Sequence, residues 1–375
     1  MKKIYYIAVV FAILFLAGCG DGIDLPGVNV ETDLNKIPLP DNNVNLEQVE
    51  LKPSTEPMLH EGLHTEEDFQ RIRDKKAAGE EPWVSAYQLL VESQFSQKTA
   101  DTYPTEWIKR GVSGDENYMN AARGATIAYQ QALRWKIEQD DEYAAKAVEN
   151  LNKWVQTCVG VTGNTNLSLA AGLYGYEFAI AGELLRDYEG WDRADFAAFQ
   201  NWLLKVFYPA NDDFLKRHHD TNALHYWANW CLCNIAAKMA IGIVTDRRDI
   251  YNEGIGHLQT GDTNGRLRRA IYHDYAPDYN FAQWQESGRD QGHTLMCVGL
   301  MGIICQLAWS QGDDFFAYDD NLFMRACEYA ACCNYTNETV PYTTYIWQKQ
   351  SQWGYPIPEE QTTLGGGKWI KRAIW

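Results

Sequence analysis

From residue 65 onward apolar residues recur at spacings of three and four, with polar residues between them. That is the period of helices packed along one face, and strand-like alternation is scarce. Thr65-Glu66-Glu67-Asp68 reads as a capping box ahead of an apolar-periodic stretch that Gly79 ends. Pro82 opens the next stretch, 83–95. Four pairs then follow across short polar breaks: 117–137 with 142–158, 167–188 with 193–208, 223–245 with 247–261, and 291–312 with 321–335. Consecutive antiparallel pairs can build a bundle, a superhelix or a closed ring. No self-similar repeat is visible, which counts against a regular solenoid. Several of these helices are apolar on more than one face and rich in Ala and Gly, as an inner ring packed against an outer one requires. The expected fold is all-α, an (α/α) toroid, an incomplete or complete barrel of antiparallel helix hairpins.

The beginning of the chain follows a different pattern. Lys2 and Lys3 precede an apolar run from Ile4 to Leu16, too short for a comfortable membrane span. Leu16-Ala17-Gly18-Cys19 then matches a lipobox. Residues 1–18 read as a lipoprotein signal peptide, with Cys19 as the lipidation site and the lipid as the membrane anchor. Residues 19–58 are rich in Gly, Asp, Asn and Pro without periodicity and read as a tether. Residues 59–375 then form the catalytic domain. Asp21 fits the acidic pattern of some surface-exported lipoproteins, which points to the cell exterior over the periplasm; the expected location is the outer membrane, on its periplasmic or cell-surface face. The chain stops at Trp375 just as "GGGKWIKRAIW" opens what reads as another helix, so it is truncated there or the toroid closes with few residues.

Composition narrows the function. The hydrophobic share of 46% supports a large core. A net charge of −17 excludes a nucleic-acid binder and fits awkwardly with a polyanion. The basic stretches 215–219, Arg247-Arg248 and 265–273 partly answer that. The 9 cysteines show no Cys-x-x-Cys or zinc spacing, so beyond Cys19 they read mostly as buried thiols. No metal or cofactor is implied, and oligomeric state leaves no mark in the sequence.

Two segments concentrate unusual chemistry. In 218–230 three histidines and several aromatics crowd the start of an apolar helix, where His225 and Asn229 would share a face. Trp230 offers a stacking surface, and the free N–H groups of a helix start favour a carboxylate. In 283–294 Glu286, Arg289, Asp290, Gln291 and His293 cluster around two glycines. Between them Tyr272, Tyr275 and Tyr279 lie near Arg266, Arg268 and Arg269, whose charge would favour phenolate. These residue types suit removal of the C5 proton of a uronate. Arg, Asn and His neutralise the developing dianion, Tyr or His takes the proton, and Tyr protonates the leaving oxygen. The alternatives are a toroid glycoside hydrolase pairing Asp220 with Glu286 or Asp290, and a non-catalytic glycan-binding lipoprotein.

At "GLHTEEDFQRIRDKKAAGEEPW", "HYWANW", "MAIGIVTDRRDIYNE", "QWQESGRDQGHT", "NLFMRACEYAACCNY" and "VPYTTY" the chain resembles the alginate-lyase-like polysaccharide lyases, from about His60 to Trp353. The resemblance implies a catalytic Asn, His, Arg and Tyr. His225 matches the histidine. Asn166 is the asparagine, with Asn229 as second choice. The arginine is Arg289 or Arg269, and the tyrosine Tyr275 or Tyr272. Trp230, Asn229, Arg269, Glu286, Gln291 and His293 are the expected substrate contacts. The implied partner is an anionic polysaccharide, alginate first and glucuronan second, cleaved by metal-independent β-elimination.

Overall fold

The computed structural model describes residues 54–287, 289–335 and 340–343. Cys19, the tether up to residue 53 and the segment ending at Trp375 lie outside the described residues. The chain divides into two compact units, one of Pro53–Lys216 with Cys233–Ile255, the other containing Arg217–Leu232 and the residues from Gly256 onward. They are called here the N-terminal and the C-terminal unit.

The N-terminal unit is a set of helices: α1 Glu66–Ala77, α2 Trp83–Glu92, α3 Tyr118–Glu138, α4 Asp141–Thr157, α5 Leu167–Leu184, α6 Arg193–Val206 and α7 Tyr208–Arg217. The capping box at α1 forms as its sequence dictates. Thr65 Oγ1 accepts from the Asp68 N–H at 3.2 Å, and Asp68 Oδ2 accepts from the Thr65 N–H at 3.0 Å. Helices α3 and α4 pack as the predicted hairpin, and α5 packs against both α3 and α6. The helix α7 continues beyond the predicted end of the 193–208 stretch. Helix α8, Ala228–Val244, and helix α9, Arg248–Thr260, contribute residues 233–255 to this unit. A Cβ on Gly242 would fall 2.6 Å from the Tyr251 nitrogen, so α8 and α9 approach as closely as a hairpin with glycine at the contact permits.

Aromatic rings form the centre of this unit. Phe178 meets Trp154 at 5.3 Å and Trp202 edge-on at 5.1 Å, and Trp202 meets Phe207 at 5.1 Å. Each buried indole finds an acceptor, Trp154 Nε1 on Thr102 Oγ1 at 2.5 Å and Trp202 Nε1 on the Cys158 carbonyl at 2.9 Å. Lys238 is fully buried, and its ammonium is satisfied by Asp212 at 2.7 Å and Glu253 at 2.6 Å.

The all-helical reading misses two ribbons. Strand β1, Trp107–Arg110, pairs in parallel with β2, Gly160–Gly163, in the N-terminal unit. In the C-terminal unit β3, Ile271–Asp274, pairs antiparallel with β4, Ala282–Trp284. Strands of three and four residues are too short to impose a visible period of two on the sequence. A one-turn helix α10, Leu267–Ala270, leads into β3. The unit is completed by α11, Gln291–Ser310, and α12, Tyr318–Tyr335. Trp284 is fully buried and donates to the Ala326 carbonyl at 3.0 Å, which seats β4 on α12. By length and composition α11 could cross a membrane, but 67% of its apolar window is buried within the protein, as in a core helix. The eight cysteines among the described residues are free thiols, buried or half-buried.

Candidate active site

The helix expected over 223–245 starts only at Ala228, so His225 stands in the turn before it and shares no helix face with Asn229. The physical reason lies in the capping groups. The Ala228 N–H donates to Gln285 Oε1 at 2.8 Å and the Asn229 N–H to Glu286 Oε1 at 2.9 Å. A carboxylate at a helix N-terminus is favoured by the macrodipole. The N–H groups that the sequence offered to a substrate carboxylate are therefore taken by the protein's own Gln285 and Glu286.

Glu286 is the hub of this framework and is fully buried. Its Oε1 also accepts from Asn229 Nδ2 at 2.7 Å and from the Cys297 thiol at 3.3 Å. Its Oε2 accepts from Arg289 Nη1 at 2.9 Å. The Arg289 guanidinium lies 5.1 Å from the centre of the Trp227 ring. With both oxygens engaged and no exposed surface, Glu286 is badly placed to serve as one carboxyl of a hydrolase pair. Asp290 caps α11, accepting from the His293 N–H at 2.8 Å, and its Oδ2 lies 2.6 Å from His293 Nδ1. Burial would raise the Asp290 carboxyl, but the His293 hydrogen bond and the nearby Arg289 bring it down to about 2. Gln291 is buried and donates to Asn334 Oδ1.

Above this framework sits a turn crowded with rings. His218, His219 and Asp220 have φ of 48°, 54° and 59°, left-handed backbone that costs about 1 to 2 kcal/mol per residue outside glycine. Such strain persists only where the surroundings impose it, and it clusters at functional sites. The half-buried His225 ring stands edge-on to Tyr226 at 4.8 Å. His219 approaches the same tyrosine at 5.8 Å, His218 at 6.2 Å and Trp230 at 4.7 Å. Asn264, itself buried, holds the loop by donating to the carbonyls of Leu224 at 3.1 Å and Tyr226 at 2.8 Å. Burial, and then the neighbouring His257, His219 and His225, push the His218 imidazole down to about 4. His218 is thus a neutral ring packed on the Cys231 thiol at 3.6 Å.

The tyrosines differ from expectation. Tyr272 is on β3 and Tyr275 just beyond it, so no helix face decides between them. Both hydroxyls meet one fully buried side chain. Tyr275 donates to Gln283 Oε1 at 2.5 Å, and Gln283 Nε2 donates to the Tyr272 hydroxyl at 3.2 Å. Tyr272 is 2% exposed, whereas Tyr275 keeps accessible surface. Phenolate activation by the arginines is not what the surroundings favour. Burial pushes Tyr275 up to about 12. Arg268 pairs with Asp319, and Arg269 donates to the Asp262 carbonyl. Tyr275 is therefore a proton carrier at neutral pH, suited to act as an acid.

Asn166 belongs to the N-terminal unit. It precedes α5 without capping it through its side chain, and its Nδ2 donates to Asn164 Oδ1 at 2.9 Å. Sequence reasoning passed over Gln283, Asn264, Tyr226 and His273. The half-buried His273 ring stands edge-on to Tyr275 at 4.5 Å, with its Nδ1 buried away from any hydrogen-bond partner. The β3–β4 register, which pairs His273 with Gln283, would have exposed this grouping, but strands of four and three residues hide it.

A family model described as Alginate lyase matches residues 72–338. The chain belongs to the alginate lyase family, and its fold is the (α/α) toroid of those enzymes. It is a polysaccharide lyase. Among solved structures it is similar to a histidine-to-alanine variant of alginate lyase A1-III complexed with tetrasaccharide, at 13% identity and a TM-score of 0.55, covering 70% of this chain and 74% of that one. It is similar also to alginate lyase A1-III from Sphingomonas species A1, at 13% identity and TM-score 0.51, covering 73% and 78%. An alginate lyase from Bacteroides ovatus matches at 14% identity and TM-score 0.50, covering 78% and 85%. No curated protein matches the chain.

Proposed function

We propose that the protein cleaves uronic-acid polymers, alginate first and glucuronan second, by β-elimination without a metal ion. The observation that carries this reading is the accessible His225 on a strained, aromatic-packed turn, anchored from beneath by a buried Glu286–Arg289–Asn229 framework. Fixing a catalytic group on rigid surroundings is what makes its position effective. In the proposed reaction His225 removes the C5 proton of the uronate. Tyr275, which keeps its proton at neutral pH, delivers one to the departing glycosidic oxygen. Arg289 or Arg269 neutralises the enolate-like charge. Tyr226 and Trp230 supply ring faces for the sugars. That the neighbouring A1-III structure holds a tetrasaccharide in a histidine variant is in keeping with this assignment. The chain is further proposed to be held at the outer membrane by lipid on Cys19. Labelling with a fatty acid that disappears in Cys19→Ala tests that part.

The test of the chemistry is ultraviolet absorbance during incubation with polymannuronate, polyguluronate, glucuronan and neutral glycans. An unsaturated product on one uronan is expected, undiminished by a chelator and lost in His225→Ala and Tyr275→Phe. New reducing ends without absorbance would replace elimination by hydrolysis. A folded protein that does neither, yet binds the polymer, would be a glycan-binding protein.

A further inference from the structure

Gln283 is fully buried on β4, and every hydrogen-bonding position of its amide is taken within the C-terminal unit. Oε1 accepts from the Thr343 N–H at 2.9 Å, and Nε2 donates to the Thr343 carbonyl at 2.8 Å. A main-chain N–H only donates and a carbonyl only accepts, so this pair of contacts decides which end of the amide is oxygen. The remaining two positions follow. The Tyr275 hydroxyl, 2.5 Å from Oε1, donates, and the Tyr272 hydroxyl, 3.2 Å from Nε2, accepts. One side chain thus makes two neighbouring tyrosines unequal. The rest of Tyr275 is held as firmly. Its N–H donates to the Phe281 carbonyl at 3.0 Å, and its ring packs against the buried cluster of Tyr329, Cys333 and Val340. Thr343 Oγ1 lies 3.2 Å from its hydroxyl. Because the one hydroxyl proton of Tyr275 is directed at Gln283, the Thr343 hydroxyl is the donor of that second contact.

We propose that Gln283 is a positioning residue for the elimination: its amide, oriented by the Thr343 main chain, fixes where the Tyr275 oxygen stands and holds the hydroxyl proton until the glycosidic oxygen departs. The inference rests on the reading of Tyr275 as the acid of a uronan lyase and supplies what keeps that acid in place. As the C4–O bond breaks, its electron pair stays on the glycosidic oxygen. The Tyr275 proton turns from Gln283 to that oxygen, so the tyrosine O–H bond breaks as the new O–H bond forms. The Thr343 hydroxyl remains beside the phenolate as its donor, and water afterwards returns the proton. An acid works only within hydrogen-bond reach of the atom it protonates. A misplacement of about 1 Å can cost about a hundred-fold in rate. Gln283 itself has no exposed surface, so it touches no part of the polymer. Its effect therefore falls on kcat and not on KM.

The experiment measures kcat and KM by ultraviolet absorbance on the uronan that the wild type cleaves, with the full chain in detergent. Gln283→Met and Gln283→Glu are each made alone and combined with Tyr275→Phe. Gln283→Met fills a similar space without an acceptor. It is expected to lower kcat by about ten-fold or more, with KM within about two-fold of the wild type. Gln283→Glu keeps an oxygen for the Tyr275 hydroxyl and the Thr343 N–H, and is expected to keep kcat within about three-fold. In the Tyr275→Phe background neither substitution should lower the remaining kcat further, because the hydroxyl they act through is gone. A role confined to holding Thr343 in the fold would lower kcat by the same factor in both backgrounds, and that result overturns the proposal. So does Gln283→Met with the wild-type kcat, or a loss that falls on KM alone. Should Gln283→Met fail to fold, Gln283→Glu decides, and a kcat reduced more than about three-fold overturns the proposal. Failure of the underlying reading looks different: the wild type would release no unsaturated product, or Tyr275→Phe would match its kcat, and the proposal would fall with that reading.

Discussion

Removing the Glu286 carboxylate tests whether the site framework is held as described. Glu286→Ala takes away the acceptor of the Asn229 N–H at 2.9 Å, of Asn229 Nδ2 at 2.7 Å and of Arg289 Nη1 at 2.9 Å. The Arg289 side chain is 11% exposed and that of Glu286 0%, so water cannot fully replace what is lost. Breaking a buried pair by deleting one partner costs about 3 to 5 kcal/mol. Glu286→Gln keeps an acceptor at Oε1 and loses chiefly the charge, a loss of about 1 to 2 kcal/mol. In a chain of this size each kcal/mol lowers the melting temperature by about 2 to 4 °C. Glu286→Ala should thus melt roughly 6 °C or more below the wild type, with Glu286→Gln between them. Denaturant unfolding followed by far-ultraviolet circular dichroism measures the free energies directly. Turnover should fall in the same order, because the start of α8 follows His225 by three residues. The reasoning is refuted if Glu286→Ala and Glu286→Gln are equally stable and both lie within about 1 kcal/mol of the wild type.

Three further outcomes are expected. The folded Asp290 carboxyl, at about 2, lies below its ordinary value, so its contribution is complete above about pH 4 and disappears as pH falls toward 2. Asp290→Asn should flatten the acid limb of the stability profile by about 1 kcal/mol between about pH 6 and pH 3, seen in urea unfolding. Glu177 behaves oppositely, since its folded value of about 8 lies above its ordinary one and ionising it as pH rises destabilises the fold. Glu177→Gln should therefore match the wild type in thermal unfolding at pH 5 and exceed it at pH 9; an equal melting point at pH 9 would contradict the burial assigned to this group. Tyr272→Phe removes a buried hydroxyl that accepts from Gln283 and should retain turnover, whereas Tyr275→Phe should lose it by at least a hundred-fold in kcat.

The helices were legible in the sequence because each carries its own signals. The Thr65–Asp68 box, the break at Gln139-Asp140-Asp141 and the apolar period of α3 and α4 are local, and local energetics decided them. The family was legible for a related reason, since "HYWANW" and "QWQESGRDQGHT" are contiguous stretches. The site was legible only as a list of residue types. His225, Arg289, Glu286 and Asn229 were singled out, but their roles were not, because roles depend on which partners meet across long stretches of chain. Glu286 and Asn229 are 57 positions apart, and their contact turns two expected substrate ligands into the anchor of the loop.

The sequence by itself determined an all-α chain of helix hairpins in the alginate lyase family, with its chemistry gathered in two segments. Tertiary structure alone decided that α8 begins after His225, that Gln283 joins both candidate tyrosines, and that burial leaves Tyr275 protonated. It alone decided that, from Ser168 to Leu184 of α5, Glu177 is the one residue left half-buried. The physical reason is common to all four. Helix formation follows from neighbours within a few residues, whereas burial, hydrogen-bond partnership and proton affinity are set by whatever the folded chain brings alongside.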